Sequence, residues 1–217
     1  MPSNRRPLKV RDLAISNQVA KFLSQQNITP NQISVLSVLF AVLGGLCFWQ
    51  IHSQTSHPFQ ESLYFVSVAG CIQLRLLCNL LDGMVAIEGG KTTQSGELYN
   101  DIPDRISDAI FFIMAGYAVN TVSWNKELGY LTAILVILTA YIRFLGASMK
   151  APMNFQGPMA KQHRMAALTI ASLMSAIEVF FFDAHYFLTF ALILIALGSV
   201  LTCWNRIKAI YDFVEAQ

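Results

Sequence analysis

The chain has 217 residues, 54% of them hydrophobic and 13% charged, with a mean hydropathy of +0.48; an ordinary soluble domain carries roughly a quarter charged residues. So few charges cannot cover the apolar surface of a water-soluble monomer, which excludes a soluble enzyme. A membrane span takes about 20 apolar residues, so the length suits one membrane domain of about six spans.

Along the chain, no continuous apolar stretch precedes residue 33, and the apolar centre of a cleavable signal peptide is therefore missing. Ile15, Val19, Phe22 and Leu23 recur at helical spacing among polar residues. This is the pattern of an amphipathic helix at the membrane surface, with a basic flank suited to anionic headgroups. Thr29-Pro30-Asn31-Gln32 reads as a helix start: Thr29 as N-cap, Pro30 in the first turn where no N–H is missed, and Gln32 closing a capping box.

Six apolar stretches follow, over residues 31 to 51, 63 to 81, 105 to 123, 127 to 148, 165 to 184 and 186 to 206. Gly157-Pro158 punctuates the loop before the fifth. The expected fold class is all-α, a polytopic membrane protein with six transmembrane helices plus an N-terminal interfacial amphipathic helix. It divides into a cytoplasmic segment over 1–29, a catalytic membrane domain over 30–207 and a tail over 208–217. Cys47, Cys71, Cys78 and Cys203 lie in apolar stretches with no CxxC pair or histidine partner. They read as core or lipid-facing residues rather than disulfides or zinc ligands.

An even number of spans puts both termini on one side, and the basic residues indicate which. One side collects Arg5, Arg6, Lys9, Arg11, Lys21, Lys91, Arg105, Lys150, Lys161, Arg164, Arg206 and Lys208, while the other has Lys126 alone. Arg75 and Arg143 lie inside spans. Both termini and the acid-rich connection between the second and third spans are therefore expected in the cytoplasm, with the cell (inner) membrane as the location.

Of thirteen acidic residues, Asp82, Glu88, Glu97, Asp101, Asp104 and Asp108 fall between residues 82 and 108. Carboxylates at a membrane boundary are costly unless paired, solvated or bound to a cation, which marks them as functional candidates. On a helix, residues 97, 101, 104 and 108 fall within an arc of roughly 60° and form one stripe. Pro103 leaves two possibilities: inside the helix it kinks the chain, whereas at a helix start it leaves Asp101 in the preceding loop. Asn79, Asp82 and Ala86 share a face of the second span, and Gly83 leaves room for a ligand near the backbone. Convergent carboxylate and amide oxygens suit Mg²⁺, which completes its shell with phosphate and water. Two such ions about 4 Å apart clamp the attacking and leaving oxygens of an in-line displacement. Phosphate chemistry is the natural expectation.

Asp82-Gly83-Met84-Val85-Ala86, then Gly96 and positions 100 and 104, resembles the signature of the CDP-alcohol phosphotransferases (CDP-alcohol phosphatidyltransferases). That signature reads D-x-x-D-G-x-x-A-R, then G-x-x-x-D-x-x-x-D. The six spans, the amphipathic leader and Thr29-Pro30-Asn31-Gln32-Ile33 are also similar to members of that family. The resemblance implies a membrane-embedded transferase of phospholipid biosynthesis, moving a phosphatidyl group from CDP-diacylglycerol to an alcohol acceptor with release of CMP. It implies Mg²⁺ or Mn²⁺ as cofactor, the lipid bilayer as surroundings, a homodimer and no nucleic acid partner.

By position, the resemblance implies Asp82 as a metal ligand, Gly83, Ala86 and Gly96 at the nucleotide, and Asp104 as the catalytic base. Three positions depart: Asn79 and Asn100 stand where Asp is expected, and Ile87 where Arg is expected. An amide oxygen still ligates a cation, and Asp101 and Asp108 restore the count of four carboxylates. The metal site expected here accordingly draws on Asn79, Asp82, Asn100, Asp101, Asp104 and Asp108.

Arg143, near the cytoplasmic end of the fourth span, is expected to hold the acceptor's phosphate or the lipid diphosphate, with Lys161 and Arg164 completing a basic pocket. Arg75 is expected to pair within the bundle, His163 to lie at the surface, and Glu178, deep in the fifth stretch, to face protein or water. The three departures support a rival reading, a catalytically impaired member that binds nucleotide lipid or serves as a scaffold. A metal or solute carrier is the third reading, against which stands a cluster confined to one membrane edge.

Overall fold

The computed structural model describes residues 14–26, 28–54, 57–88, 95–152 and 157–216. Among them it forms seven α-helices and no strand: α1 (Ala14–Gln25), α2 (Pro30–Gln54), α3 (Pro58–Glu88), α4 (Gly96–Ala118), α5 (Asn125–Ser148), α6 (Lys161–Glu178) and α7 (Tyr186–Glu215). The capping box at the start of α2 is formed, with Thr29 N–H donating to Gln32 Oε1 at 2.9 Å and Gln32 N–H to Thr29 Oγ1 at 3.3 Å. Pro103 lies inside α4, so the chain stays helical from Gly96 and Asp101 joins the stripe. α7 runs on to Glu215, through most of the segment read as a tail.

Helices α2 to α7 close into a ring in which the neighbours run α2, α3, α6, α7, α5, α4 and back to α2. Phe48, Phe65, Phe111, Met165, Leu188 and Ile195 fill its interior, while Leu46, Ile134, Ile170, Phe190, Leu197 and Trp204 face outward. Apolar residues on both faces are what a helix between protein and lipid requires. Four helices are long and apolar enough to cross a membrane, over Pro30–Ser53, Pro58–Ala86, Asn125–Ser148 and Tyr186–Glu215, and the chain is an integral membrane protein. The expectation of six such helices is met in part. Helices α4 and α6 complete the ring but do not reach that apolar character, because charged residues are concentrated in them.

Where α4 passes α5 the backbones nearly touch. A Cβ added at Gly116 would sit 2.7 Å from the Gly129 Cα, so both positions require glycine. Outside the ring, α1 packs on α3: Leu23 and Ile28 meet the cluster of Ile33, Cys78, Leu81, Met84 and Val85, leaving Val19 and Phe22 exposed. Arg5, Arg6, Lys9, Arg11 and Lys91, and the side chains of Ile15, Ile87 and Glu88, lie outside the described residues.

Candidate functional site

Because successive helices reverse direction, the ring has one end where α2, α4 and α6 begin and α3, α5 and α7 finish. The sequence-predicted residues gather there. Along α4 the stripe goes progressively under cover, from exposed Glu97 through half-buried Asp101 to buried Asp104 and Asp108.

Each of the deeper carboxylates meets a cation from another helix. Arg75 of α3, fully buried, donates from Nη2 to Asp108 Oδ1 at 2.8 Å and to Asp104 Oδ1 at 3.2 Å. It also reaches the Asp104 carbonyl at 3.1 Å, and its Nη1 lies 3.4 Å from the Met165 sulfur. Lys161, the first residue of α6, places Nζ 2.5 Å from Asp104 Oδ2. Asn79 donates its amide nitrogen to Asp104 Oδ1 at 2.7 Å. Arg143 of α5 pairs with Asp101 at 3.3 Å. Arg105 lies 3.6 Å from Asp104, and Arg164 lies 3.6 Å from Asp108. Arg164 is held by donation to Thr139 Oγ1 at 3.1 Å and the Met159 carbonyl at 2.7 Å.

Asp82 stands apart from these pairs. Buried near the end of α3, it accepts a 2.6 Å hydrogen bond from Ser34 of α2 on Oδ2, while Oδ1 meets no donor at hydrogen-bonding geometry. Gly83 and Ala86 are half-buried beside it, Gly96 opens α4, and Asn100 is exposed on the rim. The structure thus brings Asn79, Asp104, Asp108 and Lys161 together, pairs Asp101 with Arg143, and leaves Asp82 bonded to Ser34.

These pairs bear on the expected metal. Counted by residue, four carboxylates (Asp82, Asp101, Asp104, Asp108) face five cations (Arg75, Arg105, Arg143, Lys161, Arg164), a net charge of +1 before any ligand arrives. A two-ion site needs carboxylate oxygens with free lone pairs and surplus negative charge. Here Asp101, Asp104 and Asp108 are in ion pairs, and among the described residues no three His, Cys, Asp or Glu side chains converge on a point. The donor set as it stands does not fit two divalent ions.

A 140 Å³ pocket opens beside these pairs, bounded by Asn100, Asp101, Asp104, Arg105, Arg143, Lys161, Arg164 and Arg206. Arg105 and Arg164 each keep a buried Nε with no acceptor. Buried donors without partners cost stability, and both belong to residues that line the pocket.

Arg206, which from the sequence serves only to orient the chain, lines this pocket; it is buried and donates to the Thr139 carbonyl. Nothing local in the sequence marks it. Arg75 pairs within the bundle as expected, but its partners are the stripe itself. Its spacing gave a usable signal, since residues 75, 79 and 82 recur on one face of α3. His163 is exposed as expected. Glu178 faces protein as expected, buried and accepting the backbone N–H groups of Tyr186 at 3.1 Å and Phe187 at 3.3 Å, but it ends α6 instead of lying deep in the stretch.

Comparison with known proteins places this arrangement. Residues 27–204 match the family model described as CDP-alcohol phosphatidyltransferase. The inner membrane protein YnbA of Escherichia coli is 23% identical over 187 residues, covering 86% of this chain and 85% of that one. A phosphatidylinositol phosphate synthase of Streptomyces avermitilis is 23% identical over 198 residues, covering 88% and 75%. The Mycobacterium tuberculosis phosphatidylinositol phosphate synthase, solved with CDP-DAG bound, shares the fold with a TM-score of 0.74 at 19% identity, covering 92% of this chain and 94% of that chain. The same enzyme has been solved with manganese and citrate, with a TM-score of 0.73 at 19% identity over 90% and 88%.

Proposed function

This chain belongs to the CDP-alcohol phosphatidyltransferase family, and from that premise we propose that it transfers the phosphatidyl group of CDP-diacylglycerol to a phosphorylated alcohol, releasing CMP. The observation that carries the acceptor class is the pocket beside Asp104, where Arg105, Arg143, Arg164 and Arg206 line one small volume. Guanidinium groups recognise phosphate in a bidentate fashion that ammonium groups do not match. A neutral alcohol would leave that charge uncompensated. The relatives named as phosphatidylinositol phosphate synthases agree with a phosphorylated acceptor.

In this reading the arginines hold the acceptor's phosphate so that its hydroxyl lies at Asp104, converting a two-body encounter into an oriented one. The donor's nucleotide lies along Gly83, Ala86 and Gly96, where α3 ends and α4 begins, beside the Asp82 carboxylate. The hydroxyl oxygen bonds to the phosphorus that carries diacylglycerol, and its proton passes to the Asp104 carboxylate. The bond from that phosphorus to the oxygen bridging to CMP breaks, and CMP leaves with the electron pair. The family's chemistry uses divalent cations, and one solved relative holds manganese. Of the four carboxylates Asp82, Asp101, Asp104 and Asp108, the expected Mg²⁺ or Mn²⁺ finds only Asp82 outside an ion pair. The basic residues at this end of the ring support a cytoplasmic site with both termini on that side, with α4 and α6 crossing beside the four apolar helices. A homodimer follows from the resemblance.

The test is CMP release by purified protein in lipid vesicles containing CDP-diacylglycerol, offered inositol phosphate, glycerol 3-phosphate, inositol or serine. Release with a phosphorylated acceptor and not with its neutral counterpart is expected. Donor binding with no release for any acceptor would replace this reading with the impaired one that Asn79 and Asn100 support.

A further inference from the structure

The mismatch between the residues present and a two-ion site has a specific form. Asn79 Nδ2 and Asp104 Oδ1 are 2.7 Å apart. A carboxylate at position 79 would put two anionic oxygens at that separation, which is tolerable only with a cation or a shared proton between them. The amide instead donates directly, so the contact needs no ion. Four residues earlier on α3, Arg75 occupies a place where the motif specifies nothing and neutralises Asp104 and Asp108 together. Lys161 covers the remaining oxygen of Asp104.

The two cations differ in freedom. Arg75 is completely buried, with its two terminal nitrogens on Asp104, Asp108 and Met165, and its departure would leave buried Asp108 with Arg164 at 3.6 Å as its remaining ion-pair partner. The Lys161 side chain keeps a quarter of its surface exposed (25%), has Asp104 as its hydrogen-bond partner, and ends in an ammonium on a flexible stem.

We propose that protein cations replace the divalent ions in this chain: Lys161 shifts from Asp104 onto the diphosphate of the donor while Arg75 stays in place to neutralise the stripe. The proposal rests on the phosphatidyl-transfer reading and adds to it. When Lys161 moves, Asp104 Oδ2 is uncovered as the donor docks, so the proton acceptor becomes available only with substrate in place. Lys161 remains protonated throughout, and the acceptor's proton goes to Asp104. Donor binding in this scheme requires no divalent metal.

Two measurements on the purified full chain test this, neither of them turnover. The first is CDP-diacylglycerol binding by calorimetry in detergent, with chelator and with added Mn²⁺; the second is Mn²⁺ titration followed by electron paramagnetic resonance. The expected donor Kd changes by less than about threefold between chelator and Mn²⁺, whereas Lys161→Met weakens it by about tenfold or more. Lys161→Arg, which keeps the charge, restores most of the affinity. No stoichiometric Mn²⁺ binding to the wild type is expected. The combined N79D/N100D/K161M change is expected to create it and to make donor binding sensitive to chelator. Melting temperatures of each variant separate lost binding from lost fold.

Stoichiometric Mn²⁺ binding to the wild type, or donor binding abolished by chelator, overturns the replacement while leaving the transferase reading intact. Failure to bind CDP-diacylglycerol with or without Mn²⁺ overturns the transferase reading, and the replacement with it.

Discussion

The two ends of the helical ring are both polar, yet they use polarity differently. The end opposite Asp104 has the larger cavity, 540 Å³ against 140 Å³, lined by residues that include His52, His57, Glu61, Tyr117, Asn120 and His185. Its polar groups fasten helix ends to one another. His185 joins the Ala118 carbonyl at 2.8 Å and Glu61 at 2.5 Å; Asn120 accepts the His185 N–H at 3.2 Å and donates to the Asp183 carbonyl at 2.9 Å. Glu178 takes two N–H groups at the start of α7, where a carboxylate is favoured by unpaired amides and by the helix dipole. The Asp104 end has the smaller cavity but leaves Asp82 Oδ1 and the Nε atoms of Arg105 and Arg164 without partners. Unsatisfied charge distinguishes the end proposed to be reactive, although its cavity is the smaller.

If that contrast is right, carboxylates at the two ends respond differently to removal. The largest effect is expected at Asp104: Asp104→Asn lowers CMP release by about 10² to 10⁴-fold, the range for a lost proton acceptor. Donor affinity should stay within about threefold. Equal loss of both would make Asp104 a binding group. Next is Arg164→Met, which uncovers Asp108 and removes a pocket donor. It should cost about 3 kcal/mol of stability and raise the KM for a phosphorylated acceptor while leaving donor affinity alone; an unchanged KM would remove Arg164 from the acceptor pocket.

Glu178→Ala sharpens the contrast from the other side. It should lower stability by about 1 to 3 kcal/mol, read as a drop in melting temperature, because two backbone N–H groups lose their acceptor. Per folded molecule, kcat and KM should not change, and a loss of kcat would mean that the far end contributes to chemistry. Smallest is Thr29→Ala, which removes one arm of the capping box for about 1 kcal/mol and should leave turnover intact.

Much of this molecule was legible in its sequence, for local reasons. The start of α2 followed from Thr29 and Gln32 because a capping box joins residues only three positions apart. The acidic stripe followed from helical periodicity once Pro103 proved to lie inside α4. The reading of Arg75 as an internal pair was correct in kind, but its partners, 29 and 33 residues away, were not readable. Glu178 was misplaced because apolar Phe180, Phe181 and Phe182 continue the stretch past the point where α6 ends.

By itself, then, the sequence determined that this is an all-helical membrane protein of a recognisable family, with acidic groups concentrated at one edge. Those properties depend on composition and on spacing within single helices, which hydrophobicity and the helical repeat control directly. Only the tertiary structure decided how those acids are neutralised. Arg75, Arg143, Lys161 and Arg164 reach the stripe from α3, α5 and α6. That convergence depends on the order and register of helices around the ring, set by contacts such as the Gly116 and Gly129 crossing that no local pattern encodes.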